Sequence, residues 1–189
     1  MASSANPNSD LLKNNSVLFL DRDGVINEDK GFISKNSEFV FHFEIFDICK
    51  HFLDLNYRIV VITNQSGIGR GIIDIEDFHK LTFWMIEKFN QRGIKIELFL
   101  ASSLDPTRTN PAKHEFFRRK PNPGLFLDAA EIIDINFNNS VMIGNNLIDF
   151  EAAYAAGIGK IYIINSTLAQ NLEFDAFPSH QELLKNLVK

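Results

Sequence analysis

The sequence predicts an α/β fold, a doubly wound parallel sheet of about five strands with helices on both faces. Three observations carry that expectation. Short runs of β-branched and apolar residues recur at Val17–Leu20, Arg58–Ile62, Ile94–Leu100, Ser140–Ile143 and Lys160–Ile164. Between them the apolar residues fall at helical spacing, so strand and helix alternate. The length of 189 residues, 45% hydrophobic, suits one domain with a proper core. That domain is expected over 16–189, behind a polar, flexible lead-in at 1–15.

Val17–Leu20 reads as a strand buried on both faces. It ends in Asp21 and Asp23, with Gly24 to let the chain turn. In an open parallel sheet, ligands sit beyond the carboxyl ends of the strands, where this acidic pair falls. Two carboxylates at one strand end repel unless a cation lies between them, and a hard oxygen-loving ion such as Mg²⁺ answers that need. The pair therefore points to a metal and, through the metal, to a phosphorylated ligand. The plainer alternative is that both aspartates cap a turn. Three later strand ends favour the first reading.

Residues 28–43 form a loop or short flap, and 44–56 an amphipathic helix in which Cys49 packs into the core and His51 lies at the solvent edge. The second strand ends in Thr63-Asn-Gln-Ser-Gly-Ile-Gly-Arg-Gly71, a glycine-rich turn suited to wrapping an anion with backbone N–H groups. Its spacing matches neither the dinucleotide nor the P-loop pattern. Asp74 caps a helix over 75–91, with Phe78, Leu81, Met85 and Phe89 on one face and His79 on the polar side. Residues 101–119 make the longest irregular segment. It ends in Arg118-Arg119-Lys120-Pro121, before a helix over about 124–134 with Pro123 in its first turn. Three adjacent cations are by default a solvated loop. Following two phosphate-type turns and preceding a helix N-terminus, they read here as anion-binding. The fourth strand ends in Gly144-Asn145-Asn146, with Asp149 in the helix that follows, and Gly157 closes that helix. The fifth strand and a terminal helix at 179–188 complete the chain.

Composition excludes several classes. The formal charge is −5 and no basic cluster marks a nucleic-acid surface. No apolar run approaches the roughly 18 residues of a membrane span. The single cysteine allows no internal disulfide framework and suits a reducing compartment. The polar start is expected to be a frayed lead-in and not a signal peptide. A cytoplasmic monomer acting on a small molecule is expected.

Together the four stretches resemble the haloacid dehalogenase (HAD) superfamily of phosphohydrolases. Asp21-Arg-Asp-Gly-Val-Ile-Asn27, Thr63 to Gly71 and Arg119-Lys-Pro-Asn-Pro-Gly124 look like the D,D-heptose 1,7-bisphosphate phosphatase group, with histidinol-phosphate phosphatases as near relatives. Leu81-Thr82-x-Trp84-Met85 is also similar to the heptose enzymes. The resemblance implies a Rossmann-like core with minimal cap loops near 28–43 and 101–118. It implies Mg²⁺ held by Asp21, Asp23 and Asn145. It further implies Asp21 as nucleophile and Asp23 as acid and then base, with Thr63 and Lys120 on the phosphoryl oxygens. Asn64, Gln65, Ser66 and Arg119 would contact a small phosphorylated sugar, with Asp29, Lys30, Gly31 and Phe32 at the entrance. Arg119 suits bidentate recognition of a second phosphate.

Two departures from the family pattern stand out. The heptose enzymes carry a zinc loop of Cys-x-His and Cys-x-Cys before Arg-Lys-Pro. The corresponding positions here are Ser102, Leu104, Phe116 and Arg118, so no zinc is expected. Asn145 and Asn146 stand where the family has Asp and Lys. Asn145 still offers a carbonyl oxygen, and Asp149 keeps an acid nearby that could bind metal through water. A histidinol or other small-molecule phosphatase is one alternative. A weakly active phosphosugar-binding protein, its metal chemistry lost with the acid at 145, is the other. A signalling receiver domain fails on the order of its acids, because the second strand here ends in Thr63-Asn64.

Overall fold

A computed structural model describes residues 15–165, 167–168 and 175–189. The lead-in expected at 1–15 otherwise lies outside the described residues. Asn15 itself is tied down, its side chain 2.6 Å from Asp134 and its carbonyl accepting from Asn136 N.

One sheet of six parallel strands organises the described residues, in the order β3-β2-β1-β4-β5-β6. In chain order these are β1 (Val17–Leu20), β2 (Arg58–Asn64), β3 (Ile96–Ser102), β4 (Val141–Gly144), β5 (Lys160–Ile164) and β6 (Asp175–Phe177). The helices are α1 (Glu44–Asp54), α2 (Ser66–Gly69), α3 (Ile75–Asn90), α4 (Lys113–Arg118), α5 (Gly124–Ile132), α6 (Leu147–Ala156) and α7 (His180–Leu187), with a 3₁₀ turn at Phe137–Asn139.

The doubly wound architecture follows from side-chain alternation. Leu18 and Leu20 of β1 join Ile59, Val61 and Ile143 under α1, α3 and α7. Val17 and Phe19 join Val60, Ile62 and Met142 under α5 and α6. Every residue of β1 is fully buried, so the run needs no polar face. The small residues Ala152 and Ala153 let α6 lie close to the sheet. Asp74 caps α3 by accepting from Glu76 N (2.7 Å), and Gly157 ends α6 at a φ of 82°. Cys49 is buried on α1, in the core as expected.

Two corrections concern the edges. The sheet has six strands, not about five. The sixth is a three-residue edge strand, Asp175-Ala-Phe177, paired with Tyr162–Ile164, and so short a segment carries no alternation to read. The 101–119 segment contains α4, which buries none of its six residues and so shows no apolar stripe. Glu115 secures its start by accepting from Ala112 N (3.2 Å).

The chain runs outward from β1 to β2 and β3, then returns to lay β4 on the other side of β1. The carboxyl ends of β1, β2 and β4 therefore meet at the point where strand order reverses, which is where such sheets open a crevice. No helix among the described residues is long and apolar enough to cross a membrane.

Candidate active site

A hollow of about 240 Å³ opens at that reversal. Asp21, Asp23, Asp29, Gly31, Phe32, Thr63, Asn64, Gln65, Ser66, Lys120 and Asn145 all line it. Residues expected to act together thus come from three strand ends and two loops. Lys30 and Arg119 do not line it. Lys30 pairs with Glu28 (2.9 Å) at the surface. Arg119 donates to Leu104 O (3.1 Å) and faces a neighbouring, mostly apolar hollow.

At the floor, Lys120 is 2% exposed yet carries three acceptors. Its Nζ lies 2.6 Å from Asp149 Oδ1, 2.9 Å from Asp21 Oδ1 and 3.2 Å from Ile62 O. One cation thus serves two buried acids. Asp149 is the better provided, since its other oxygen accepts from Asn145 N and Asn146 N (3.0 Å each). Asp21 is not. Its Oδ1 is close enough to Lys120 for an ion pair but makes no aligned hydrogen bond. Burial raises the Asp21 pKa to about 6; Lys120 opposes the rise, while Asp149 and Asp23 add to it. The same two acids hold Lys120 above the usual lysine range, against its burial. The Lys120 backbone is clamped by Asn64, whose amide accepts from Lys120 N (3.1 Å) and donates to Lys120 O (3.0 Å).

Asp23 is held from three directions. Arg22 gives it Nε and Nη2, Asn27 gives Nδ2 (3.0 Å), and Gln65 gives Nε2 (2.8 Å) while also reaching Thr63 Oγ1 (3.1 Å). Behind this loop, His180 of α7 donates from Nε2 to Val25 O (2.7 Å). Burial and neighbouring His42 lower the His180 pKa to about 4, so the ring stays neutral.

Asn145 faces the same loop. A Cβ at Gly24, where φ is 83°, would fall 1.9 Å from Asn145 Nδ2, so glycine is required both by conformation and by space. Two carboxylates and a carboxamide therefore gather at this corner. Among the described residues no group of three or more carboxylate, imidazole or thiol side chains is placed to hold a metal ion by itself. The donor groups are carboxylates and a carboxamide, and Asp21 shares the neighbouring cation Lys120 with Asp149. Both properties fit Mg²⁺ rather than a softer metal.

The sequence left open that Asp149 reaches metal through water. Instead both its oxygens are committed to Lys120 and to the first turn of α6, where it forms a reciprocal capping box with Asn146. The role of Arg22, and the partnership of Asp149 with Lys120, are what sequence reasoning did not place. An acid at the third position of a capped helix is a readable sign for Asp149; Arg22 left none, being one cation between two acids. At the former zinc positions Ser102 and Leu104 are buried, Phe116 is exposed, and Arg118 pairs with Asp128 (2.5 Å). The loop is instead fastened by Arg70 to Asp105 (3.1 Å) and by Arg119 to Leu104 O.

With this geometry in place, similarity to known proteins narrows the chemistry. A family model described as HAD-hydrolase-like matches residues 117–176, the stretch that carries Lys120, Asn145 and Asp149. The D-glycero-alpha-D-manno-heptose-1,7-bisphosphate 7-phosphatase of Campylobacter jejuni is 38% identical over 169 residues, covering 89% of this chain and 93% of that protein. The D-glycero-beta-D-manno-heptose-1,7-bisphosphate 7-phosphatase of Vibrio cholerae is 37% identical over 151 residues, covering 79% and 81%. Among solved structures, the D,D-heptose 1,7-bisphosphate phosphatase of B. bronchiseptica, complexed with magnesium and phosphate, aligns with a TM-score of 0.78. That match covers 92% of this chain and 98% of the other at 24% identity, and speaks for the fold. The chain belongs to the HAD-like phosphatases, in the family of the heptose-1,7-bisphosphate 7-phosphatases.

Proposed function

We propose that this phosphatase removes the 7-phosphate of D-glycero-D-manno-heptose 1,7-bisphosphate in two steps. The observation that carries the reading is the buried Lys120 between Asp21 and Asp149, beside Asp23 and Thr63 at one hollow. Asp21 attacks phosphorus, and the bond to the sugar oxygen breaks. Asp23 gives that oxygen its proton, leaving the sugar as an alcohol and Asp21 as an acyl phosphate. Asp23 then takes a proton from water. The water oxygen attacks phosphorus, releasing inorganic phosphate and restoring the Asp21 carboxylate. Thr63 and Lys120 hold the phosphoryl oxygens, since phosphoryl transfer asks chiefly for positioning and charge.

Asp21, the Asp23 segment and Asn145 would hold Mg²⁺, which when bound neutralises charge on the phosphoryl group. Gly31, Phe32, Asp29 and Ser66 border the mouth and would meet the sugar. Lys30 and Arg119 would reach a second phosphate only by leaving Glu28 and Leu104 O. We further propose a cytoplasmic monomer, in keeping with one buried cysteine and a small-molecule substrate.

The test is phosphate release from both anomers of the heptose bisphosphate, histidinol phosphate and a panel of other sugar phosphates, with Mg²⁺ titrated. Turnover of a heptose bisphosphate above the others supports the reading. Preference for histidinol phosphate replaces the substrate, and silence throughout replaces the enzyme by a binding protein. Asn145 gives that last outcome its specific motive. Asn145→Asp is expected to lower the Mg²⁺ needed for half-maximal activity on the order of tenfold, by restoring a charge to the oxygen set. The same variant should show a larger Mg²⁺-dependent rise in melting temperature than wild type. An unchanged Mg²⁺ response removes residue 145 from the metal.

A further inference from the structure

We propose that Arg22 is a positioning residue for Asp23, the buried guanidinium that keeps the Asp23 carboxylate turned toward the hollow so that it meets the leaving oxygen. The inference rests on the two-step chemistry above and assigns a residue that this chemistry does not otherwise use.

Arg22 is 2% exposed and among the largest fully buried side chains. It does not line the hollow, whereas Asp23 does. Its Nε lies 3.1 Å from Asp23 Oδ1, and its Nη2 lies 2.8 Å from both Oδ1 and Oδ2. A planar fork of this kind fixes the plane of a carboxylate, which a single ammonium cannot do. The Arg22 backbone builds the turn as well. Its carbonyl accepts from Val25 N, Ile26 N and Asn27 N, which brings Asn27 back against Asp23 for a further hydrogen bond.

A role in stability alone explains this cluster poorly. Arg22 Nη1 and Asn27 Oδ1 are both buried without a hydrogen-bond partner, each a cost to folding. An apolar side chain of similar length would fill the space without taking a charge from water. What the guanidinium supplies, and an apolar chain does not, is a defined direction for Asp23.

The leaving group separates positioning from general damage. A sugar alkoxide needs the Asp23 proton to depart, and p-nitrophenolate does not. Wild type, Arg22→Met and Arg22→Lys are compared with heptose bisphosphate and with p-nitrophenyl phosphate, at saturating Mg²⁺. KM and kcat are measured, and the first phosphoryl transfer is followed by rapid quench. On the sugar phosphate Arg22→Met is expected to slow that first transfer on the order of 10²-fold, the size of a general-acid contribution. KM should stay within about twofold, because Arg22 does not itself line the hollow. With p-nitrophenyl phosphate the first transfer should stay within about threefold of wild type. Arg22→Lys should fall between, keeping the charge and losing the fork. It alone decides the matter if Arg22→Met does not fold. Equal slowing with both leaving groups, or no slowing with the sugar, overturns the assignment and leaves the phosphatase reading intact. A wild type silent on every phosphate ester overturns both.

Discussion

Asp21→Asn is expected to abolish phosphate release, lowering it by at least about 10³-fold, because the proposed reaction assigns the attack on phosphorus to this carboxylate. The substitution changes one atom and leaves the Asp21 N–H on Ile143 O (3.0 Å), so β1 and β4 keep their pairing. The loss should therefore occur without unfolding, as circular dichroism and thermal melting would check. A pH dependence accompanies it. Asp21 titrates near 6 in the folded protein, above its ordinary 3.8, so the folded state binds its proton more tightly than the unfolded state. The stability this provides is present below pH 3.8 and is lost as pH rises through about 6. Without Mg²⁺ and above pH 6, Asp21→Asn should thus melt no lower than wild type, with the difference shrinking toward pH 4. In the active wild type the same group sets an acid limb. At limiting Mg²⁺, phosphate release should fall as pH drops through about 6. The limb should move to lower pH as Mg²⁺ is raised, because a cation beside Asp21 favours its charged form. A limb near pH 4 at every Mg²⁺ concentration would mean that Asp21 is not the titrating nucleophile.

Lys120→Met should lose both activity and stability. Its removal leaves Asp21 and Asp149 facing each other in a buried site and strips Ile62 O of a donor. Deleting one partner of a buried pair costs about 3–5 kcal/mol, and if Lys120 holds the phosphoryl oxygens as proposed, losing it costs on the order of 10²–10³ in turnover. Guanidinium unfolding at pH 7.5 reads the first effect and saturating-Mg²⁺ kinetics the second. Lowering the pH toward 5 should narrow the stability gap, since Asp21 takes up its proton. Lys120→Arg should not restore activity, because three separate acceptors surround a point charge there and a planar fork does not fit them. A Lys120→Met protein as stable as wild type would show that the two acids are relieved some other way.

Much of the fold was legible because the five longer strands are buried runs at regular intervals, and burial on both faces shows in composition alone. Asp21, Asp23 and Thr63 could be singled out because each stands at the carboxyl end of such a run, and Lys120 because it precedes a helix; all four line one hollow. The edge strand Asp175–Phe177 and helix α4 escaped because neither buries an apolar face that would give it a period. Asn64 and Gln65 were expected to contact substrate. They line the hollow, yet both Asn64 amide atoms bond Lys120, and the Gln65 amide bonds Asp23 and Thr63.

The sequence by itself determined which residue types stand at the strand ends, because hydrophobic alternation and chain order are local or cumulative along the chain. It also determined that residue 145 is a carboxamide and that the former zinc positions hold no soft ligand. Only the tertiary structure decided how the charges are shared: that Lys120 serves Asp21 and Asp149 at once, that Asp149 turns to a helix terminus, and that Arg22 grips its neighbour Asp23. Those partnerships join residues up to 99 apart in the chain, Asp21 and Lys120, and depend on a few ångströms of separation inside a low-dielectric crevice. No pattern along the chain encodes such distances. They appear only when β1, β2 and β4 are laid side by side.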